Sequence, residues 1–522
     1  MQVASVSRAT RLGVAGAALL TLVLGTLSAF SIPLFAPRDE AAHYGYAAEV
    51  ADGHLPNIET LVPVDGVPLL EAVMAQRDAS RQTIWTANHP PLHYALLAIP
   101  IGIGRATGHE LGATHAGRLM SVAFAAMAVG AIAWVVGLLF PRRPRLVVAA
   151  AGFAALAPAL INTSASLYND SLAILTSTLA FGAGLVWLRQ GPSRNRLMLL
   201  VATCSLAAAT RASGLLVVGV VGLAVVCGSF IHRPESADGE TAGTPRTAAR
   251  SALQLLGPAA LVGVAVLVTS GWFYLRNIRL YGDFTATQYL LERFERESRE
   301  PTLFHLTGSR FWISQQKRLW DVGHDPSTRK LWWLVFVPMA GLALRAARGI
   351  AQRVRQFGSV SVALADLRIH ATRGPRTRFV APAAWALGLL LVVVLEWSVA
   401  QFLSQGGGTH VRYVLPALAL AAAVGAYAMA GFPGHRRGIP AVMFMVAMVG
   451  ANLIGLHSQL LATVPGVQSE STFLFSLRHS GVRAADWCLV LVGVVVVVGI
   501  AAQAVALWSL GGLDDAADST PA

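Results

Sequence analysis

Long apolar runs recur along almost the whole chain, broken only by short polar links, and this repeat constrains the fold more than any single motif. A run of about 20 apolar residues, rising about 1.5 Å per residue as a helix, spans the roughly 30 Å hydrocarbon core of a bilayer. Such runs fall near 12–34, 116–140, 146–163, 171–189, 197–210, 213–231, 253–275, 331–346, 379–402, 411–431, 439–461 and 485–510. Composition agrees: 55% of the 522 residues are hydrophobic, only 13% are charged, and the mean hydropathy is +0.57. A soluble domain of this size carries about twice that share of charge. The expected fold class is therefore an all-α polytopic membrane protein with about 12 transmembrane helices (11–13). The first run follows Arg8 and Arg11, exceeds a signal-peptide core in length, and has no clear small-residue cleavage site before Pro37, so it reads as a retained helix.

Charge supplies the orientation. The net +13 comes from 40 Lys and Arg against 27 Asp and Glu, without a basic stripe of the kind that grips nucleic acid. Basic residues gather in the links at 141–145, 189–196, 231–250, 345–378 and 436–437. The positive-inside rule puts these links in the cytoplasm, with the N-terminus 1–11, and makes 35–115 and 276–330 two large external loops. Loops 232–252 and 347–378 are then cytoplasmic, and the acidic tail 511–522 reads as unstructured. The weakest joint is Thr210-Arg211-Ala212, since one tilted helix across 197–231 would reverse everything downstream. Cys204, Cys227 and Cys488 lie inside apolar runs, with neither disulfide nor zinc spacing.

Within the external loops, four groups of residues could carry chemistry. Pro37-Arg38-Asp39-Glu40-Ala41-Ala42-His43-Tyr44 places two carboxylates at the mouth of the first span, where desolvation is costly. Asp39 and His43 share a helix face at i,i+4; Asp39 is either a helix cap or a general base for a hydroxyl nucleophile. Glu40 and His43 would make two ligands of a divalent metal, an open alternative but a thin one. Asn88-His89-Pro90-Pro91-Leu92-His93-Tyr94 presents Asn88 and His89 on a backbone stiffened by two prolines, before an amphipathic or re-entrant piece at 93–104. Tyr168-Asn169-Asp170-Ser171 is either a helix cap or an acidic part of a site. Arg211, Arg276 and Arg412, with Asn277 and Tyr413, lie near external span ends, where Arg either snorkels to headgroups or clasps a phosphate. Arg412 follows the flexible stretch Gln405-Gly406-Gly407-Gly408-Thr409-His410. Glu396 is the one acid well inside a span, and 287–299 reads as a charged amphipathic helix.

The order of these motifs, with Arg412-Tyr413-Val414-Leu415-Pro416-Ala417-Leu418 last, resembles the GT-C superfamily of membrane glycosyltransferases. These are the users of polyprenyl-phosphate sugars that include protein O-mannosyltransferases and aminoarabinose transferases. Gly271-Trp272-Phe273-Tyr274-Leu275-Arg276-Asn277 and Tyr281-Gly282-Asp283 also resemble a less characterised, related group of bacterial multi-spanning proteins. The motifs are scattered over residues 12 to about 430. The resemblance implies amphipathic helices in the first external loop and transfer of a sugar from a polyprenyl phosphate to an envelope lipid, glycan or protein. It implies Asp39 as catalytic base with Glu40 beside it, and Asp170 as a second acid orienting acceptor or metal. Arg211, Arg276 and Arg412 would hold the lipid-linked phosphate, with His43, Asn88, His89 and Tyr413 lining the substrate site. The chain departs from many such enzymes in lacking a large soluble C-terminal domain, and Trp312 and Trp320 are the only evident sugar-site aromatics in the second loop. Two other classes stay open: a transporter or flippase of lipid-linked sugars, which should show inverted repeats and charge along a path, and an inactive structural partner in an envelope complex.

Overall fold

The computed structural model describes residues 8–37, 39–233, 245–319, 328–357, 376–408, 411–464 and 472–510. Arg38, Thr409, His410, Trp320, the tail 511–522 and most of loops 232–252 and 347–378 lie outside these residues. Among the described residues, nine helices are long and apolar enough to cross a membrane: Arg8–Ser31, Glu110–Leu139, Asp170–Gln190, Ser213–Ile231, Ala252–Tyr281, Trp333–Gln352, Thr377–Ser404, Ile439–Thr463 and Ala485–Ser509. Pro144–Ala155 and Pro158–Ser164 pass together as a pair bent by 53°, which brings the number to ten. The bend falls at Pro158, which lacks an N–H to continue the ladder.

The expected twelve spans are thus not all of membrane length. The run at 197–210 forms Arg194–Thr210, a helix of 17 residues, and the run at 411–431 opens with two single 3-10 turns before the helix Leu418–Met429. Pro416 lies in the second of those turns, Leu415–Ala417, ahead of the α-helix. The link between 197–210 and 213–231 is real: Arg211 is extended, with ψ at 151°, and separates two helices.

The interior is held by close approach of small residues. Arg8–Ser31 packs along Ala485–Ser509, where a Cβ on Gly16 would lie 2.8 Å from the Ala502 Cβ and 3.0 Å from the Gly499 carbonyl oxygen. Backbones that close gain dispersion contacts no longer side chain permits. The opposite faces stay apolar and open: Leu267 and Val268 are 68% and 73% exposed and Trp487 is 76% exposed, as suits contact with lipid tails.

Segment 35–115 folds against one end of this bundle. Glu40–Ala51 and the 16-residue helix Leu92–Thr107, which runs on through Pro100, pack through Tyr44, Tyr46, Tyr94, Leu97 and Ile101 into a second core that includes Leu167 and Ala286. The charged helix expected over 287–299 spans only Thr287–Arg293, because Glu295 turns left-handed at φ 51°. Two further helices, Thr302–Thr307 and Ser309–Leu319, complete that segment among the described residues.

Candidate active site

Asp39 occupies the N-cap position of Glu40–Ala51, yet its carboxylate makes no capping hydrogen bond. It instead accepts from the Arg412 guanidinium at 2.7 Å, across 373 positions of sequence, with both side chains mostly buried. The capping explanation of Asp39 therefore does not describe its side chain. The same holds at the second acidic turn. Asn169 sits at the N-cap of Asp170–Gln190 without a capping bond, and Asp170, 2% exposed, is ion-paired with Arg211.

The two pairs meet over aromatic rings. The Arg211 guanidinium lies 5.1 Å from the Tyr413 ring centroid, and that of Arg412 lies 5.5 Å from the same ring and 5.1 Å from the Tyr168 ring. Cations over ring faces gain from the quadrupole, most of all when desolvated. Tyr168 also hydrogen-bonds to the Asp39 backbone, and burial with the nearby Asp39 charge pushes its phenol up, so it stays protonated.

Glu40 does not line an open cavity beside Asp39. Fully buried, it receives a two-pronged bond from Arg118 at 2.7 and 2.6 Å, and accepts the Phe35 and Leu167 amides at 2.8 and 3.3 Å. Arg118 donates further to the carbonyls of Ala29, Ile32 and Pro33. Pro33 has no N–H to offer the Ala29 carbonyl, so Arg118 supplies the donor that the end of the first helix lacks, where a cation also suits the helix dipole. The pair ties the end of one helix to the start of the next and fixes Asp39 between them. Arg118 sits inside an apolar run and was not among the expected site residues; the arginine within that run, which needed a buried counter-charge, was the signal that could have found it.

The histidines form a neutral wall. The His43 ring bonds the Tyr94 hydroxyl through Nδ1 at 3.0 Å and faces the Tyr168 ring at 5.1 Å. Burial first, then His89, His93 and the two arginines, hold its pKa well below the usual value. Burial and the same arginines do likewise for His89. His93, pushed down to about 4 by burial, bonds the Leu167 carbonyl through Nε2 at 3.1 Å and so helps Glu40 to hold the turn that carries Tyr168. Glu40 and His43, weighed as metal ligands, face different partners and do not converge. Among the described residues no three His, Cys, Asp or Glu side chains gather as a metal site.

Arg276 and Asn88 go elsewhere. Arg276 donates to the Leu55 and Pro56 carbonyls at 3.3 and 2.8 Å, and Asn88 donates to the Thr285 carbonyl at 3.2 Å, with Asn277 returning a bond to the Asn88 carbonyl. With the Glu59–Arg293 ion pair and the Tyr281 hydroxyl on the Ile58 amide, they clamp segment 276–319 onto segment 35–115. Trp312 spends its indole N–H on the Leu306 carbonyl and is 41% exposed. Arg77, absent from the expected set, donates to the Phe35 carbonyl and lies within the field of Asp39 and Tyr168.

The site is thus a desolvated nest of two ion pairs, three aromatic rings and neutral histidines at one end of a multi-pass helical membrane bundle. No protein-family model matches the sequence, and no curated protein matches it. Among solved structures, the chain is similar to ArnT from Cupriavidus metallidurans bound to undecaprenyl phosphate, with 14% identity over 95% of this chain and 77% of that one and a TM-score of 0.46. It is also similar to the oligosaccharyltransferase of Archaeoglobus fulgidus, solved with zinc and sulfate, with 14% identity over 88% of this chain and 53% of that one and a TM-score of 0.38.

Proposed function

We propose that the chain is a membrane glycosyltransferase that moves a sugar from a polyprenyl phosphate to an envelope acceptor, working at the external face of the cytoplasmic membrane with its N-terminus in the cytoplasm. The observation that carries this reading is the Asp39–Arg412 ion pair beside Arg211, with Tyr413 shared by both guanidiniums. It joins a carboxylate able to take a proton to two guanidiniums able to hold a phosphate. Orientation rests on the basic links and the order of motifs in the sequence.

In the reaction, the acceptor hydroxyl oxygen attacks the anomeric carbon as its proton passes to an Asp39 carboxylate oxygen. The bond from that carbon to the phosphate oxygen breaks, and the electron pair leaves on the phosphate. Arg412 and Arg211 stabilise the charge that grows there, and Tyr413 holds the two guanidiniums side by side. A single displacement inverts the anomeric centre. His43 and His89, kept neutral, add no charge that would compete with the arginines for the phosphate. Glu40 and Arg118 are positioning residues, and Asp170 holds Arg211.

The test is transfer or hydrolysis of radiolabelled polyprenyl-phosphate sugars by the purified protein in lipid. Wild type should turn over at least one donor, with Asp39→Asn and Arg412→Ala each lowering the rate at least about 100-fold, in the range of a lost base or lost charge stabilisation. Full activity in Asp39→Asn refutes the assignment of the base.

A further inference from the structure

Glu396 lies inside the span Thr377–Ser404, about two turns from its end, and is 9% exposed. Its partner among the described residues is Gln315 of Ser309–Leu319, whose Nε2 donates to Glu396 Oε2 at 3.2 Å. Gln315 is itself 3% exposed, and its amide oxygen is buried with no hydrogen-bond partner. A buried carboxylate and a buried unpaired carbonyl therefore sit together, and both call for donors.

The pair also has a definite place. Phe311 stands one turn before Gln315, and Val399 and Ala400 stand one turn after Glu396; together with Leu403 these make one cluster against Tyr413 and Val414. Residues three or four apart share a helix face, so Glu396 and Gln315 continue, by about one turn of about 5.4 Å, the surface on which Tyr413 rests. Tyr413 in turn lies under Arg211 and Arg412. The pair therefore lies about one helical turn along from the residues that pack on the ring beneath both arginines.

We propose that Glu396 and Gln315 form a sugar-recognition subsite that accepts hydrogen bonds from ring hydroxyls of the glycosyl group on the lipid phosphate. The inference rests on the polyprenyl-phosphate reading and adds to it the residues that distinguish a sugar-bearing lipid from the bare carrier. A carboxylate beside an unpaired amide oxygen suits a polyhydroxyl ligand, because every hydroxyl can donate. A site built to bond a ligand's hydroxyls rejects the analogue that lacks them, since its own buried groups then stay unpaired.

The experiment measures binding of undecaprenyl phosphate and of its glucose, mannose and galactose phosphodiesters to the full-length protein in nanodiscs, for wild type, Glu396→Gln, Gln315→Leu and Arg412→Ala. Wild type should bind at least one sugar lipid about tenfold more tightly than undecaprenyl phosphate, about 1.4 kcal/mol. Glu396→Gln and Gln315→Leu should erase that preference while affinity for undecaprenyl phosphate stays within about twofold, and Arg412→Ala should weaken both lipids. The subsite is refuted if both acceptor variants keep the preference, if they weaken sugar lipid and bare carrier equally, or if wild type prefers no sugar lipid while binding undecaprenyl phosphate through Arg412. Loss of the parent reading looks different: no lipid binds, or Arg412→Ala changes nothing. Unchanged melting of Glu396→Gln, which keeps the size and the bond to Gln315, separates lost recognition from lost folding.

Discussion

Arg118→Met should damage the fold before it damages chemistry. Arg118 and Glu40 are both fully buried and are joined by two hydrogen bonds. Removing one member of such a pair leaves an uncompensated charge and costs about 3–5 kcal/mol. Here the loss also strips donors from the carbonyls of Ala29, Ile32 and Pro33, so the upper part of that range applies. A 150–250-residue unit loses about 2–4 °C of melting temperature per kcal/mol, and a chain of 522 residues less; at about half that sensitivity the drop is about 4–10 °C. Unfolding in detergent is commonly irreversible, so the quantity to compare is the apparent midpoint at one scan rate. Glu40→Gln should fall by a similar amount, and the double variant should fall by clearly less than the sum, because the second change removes the stranded charge. Additive losses, or single losses under about 1 °C, refute the view that these two residues form one structural tie.

Three further outcomes follow from the site. For Tyr413→Leu, which removes one ring from beneath two guanidiniums, the cation–ring energy lost is about 0.5–2 kcal/mol per contact, so donor affinity should fall about fivefold or more; unchanged binding would count against the shared ring. Gly406→Ala should disrupt the approach to Arg412, since φ is +93° and a Cβ would lie 2.3 Å from the Glu297 carbonyl oxygen; wild-type melting and turnover would contradict it. The third concerns pH. His43, His89 and His93 all have folded pKa values below the unfolded value of about 6.5, so the unfolded chain binds more protons between the two. Their contribution to stability is complete above about pH 7 and drains away as pH falls through 6.5, continuing to about pH 4 for His93. Each group contributes a slope of about 1.4 kcal/mol per pH unit in its window. Melting midpoints flat from pH 8 to 5, or a loss that survives His93→Asn unchanged, would sink this account.

The sequence made the membrane class legible because an apolar run of 20 residues has few other uses, and it made the acidic and basic ends of the site legible because charge at a span mouth is costly. Asp39, Asp170, Arg211 and Arg412 come together as ion pairs although 373 positions separate the outermost partners. The same rule, Arg near a span end, misplaced Arg276, whose side chain turns to loop carbonyls. Sequence gives the depth of a residue along a helix but not the azimuth of its side chain, and azimuth decides between ligand pocket and loop clamp. Asn88 fails for the same reason. The partners of Glu40 and His43 were not legible because nothing in the sequence pairs positions 78 and 51 residues away with them, and only the packed geometry shows the Arg118 guanidinium on Glu40 and the Tyr94 phenol on His43. The run at 411–431 falls short of membrane length as one α-helix because Pro416 lies in a 3-10 turn that hydropathy averages through.

Charge balance in the site leads to a last prediction with a sign opposite to intuition. Asp39, Asp170, Arg211 and Arg412 sum to zero, so the two guanidinium charges are balanced before any lipid arrives. A phosphodiester bringing one negative charge competes with the carboxylates for these guanidiniums. Asp170 is 2% exposed and wedged against Arg211, whereas the Asp39 side chain is 18% exposed and can rotate toward water or acceptor, so Asp39 is the carboxylate that yields. On the proposed reading, donor binding frees Asp39 as the phosphate takes its place on Arg412, and the carboxylate competes with the donor until then. Asp39→Asn removes the competitor's charge while keeping its shape. It should bind undecaprenyl phosphate several-fold more tightly than wild type, with the largest gain at low salt where charge is least screened, while transferring no sugar. Asp170→Asn, by contrast, should weaken binding, because Arg211 loses the anchor that aims it. Titration of both variants in nanodiscs at low and high salt decides the matter: weaker binding in Asp39→Asn would mean that Asp39 positions Arg412 for the phosphate and does not compete for it.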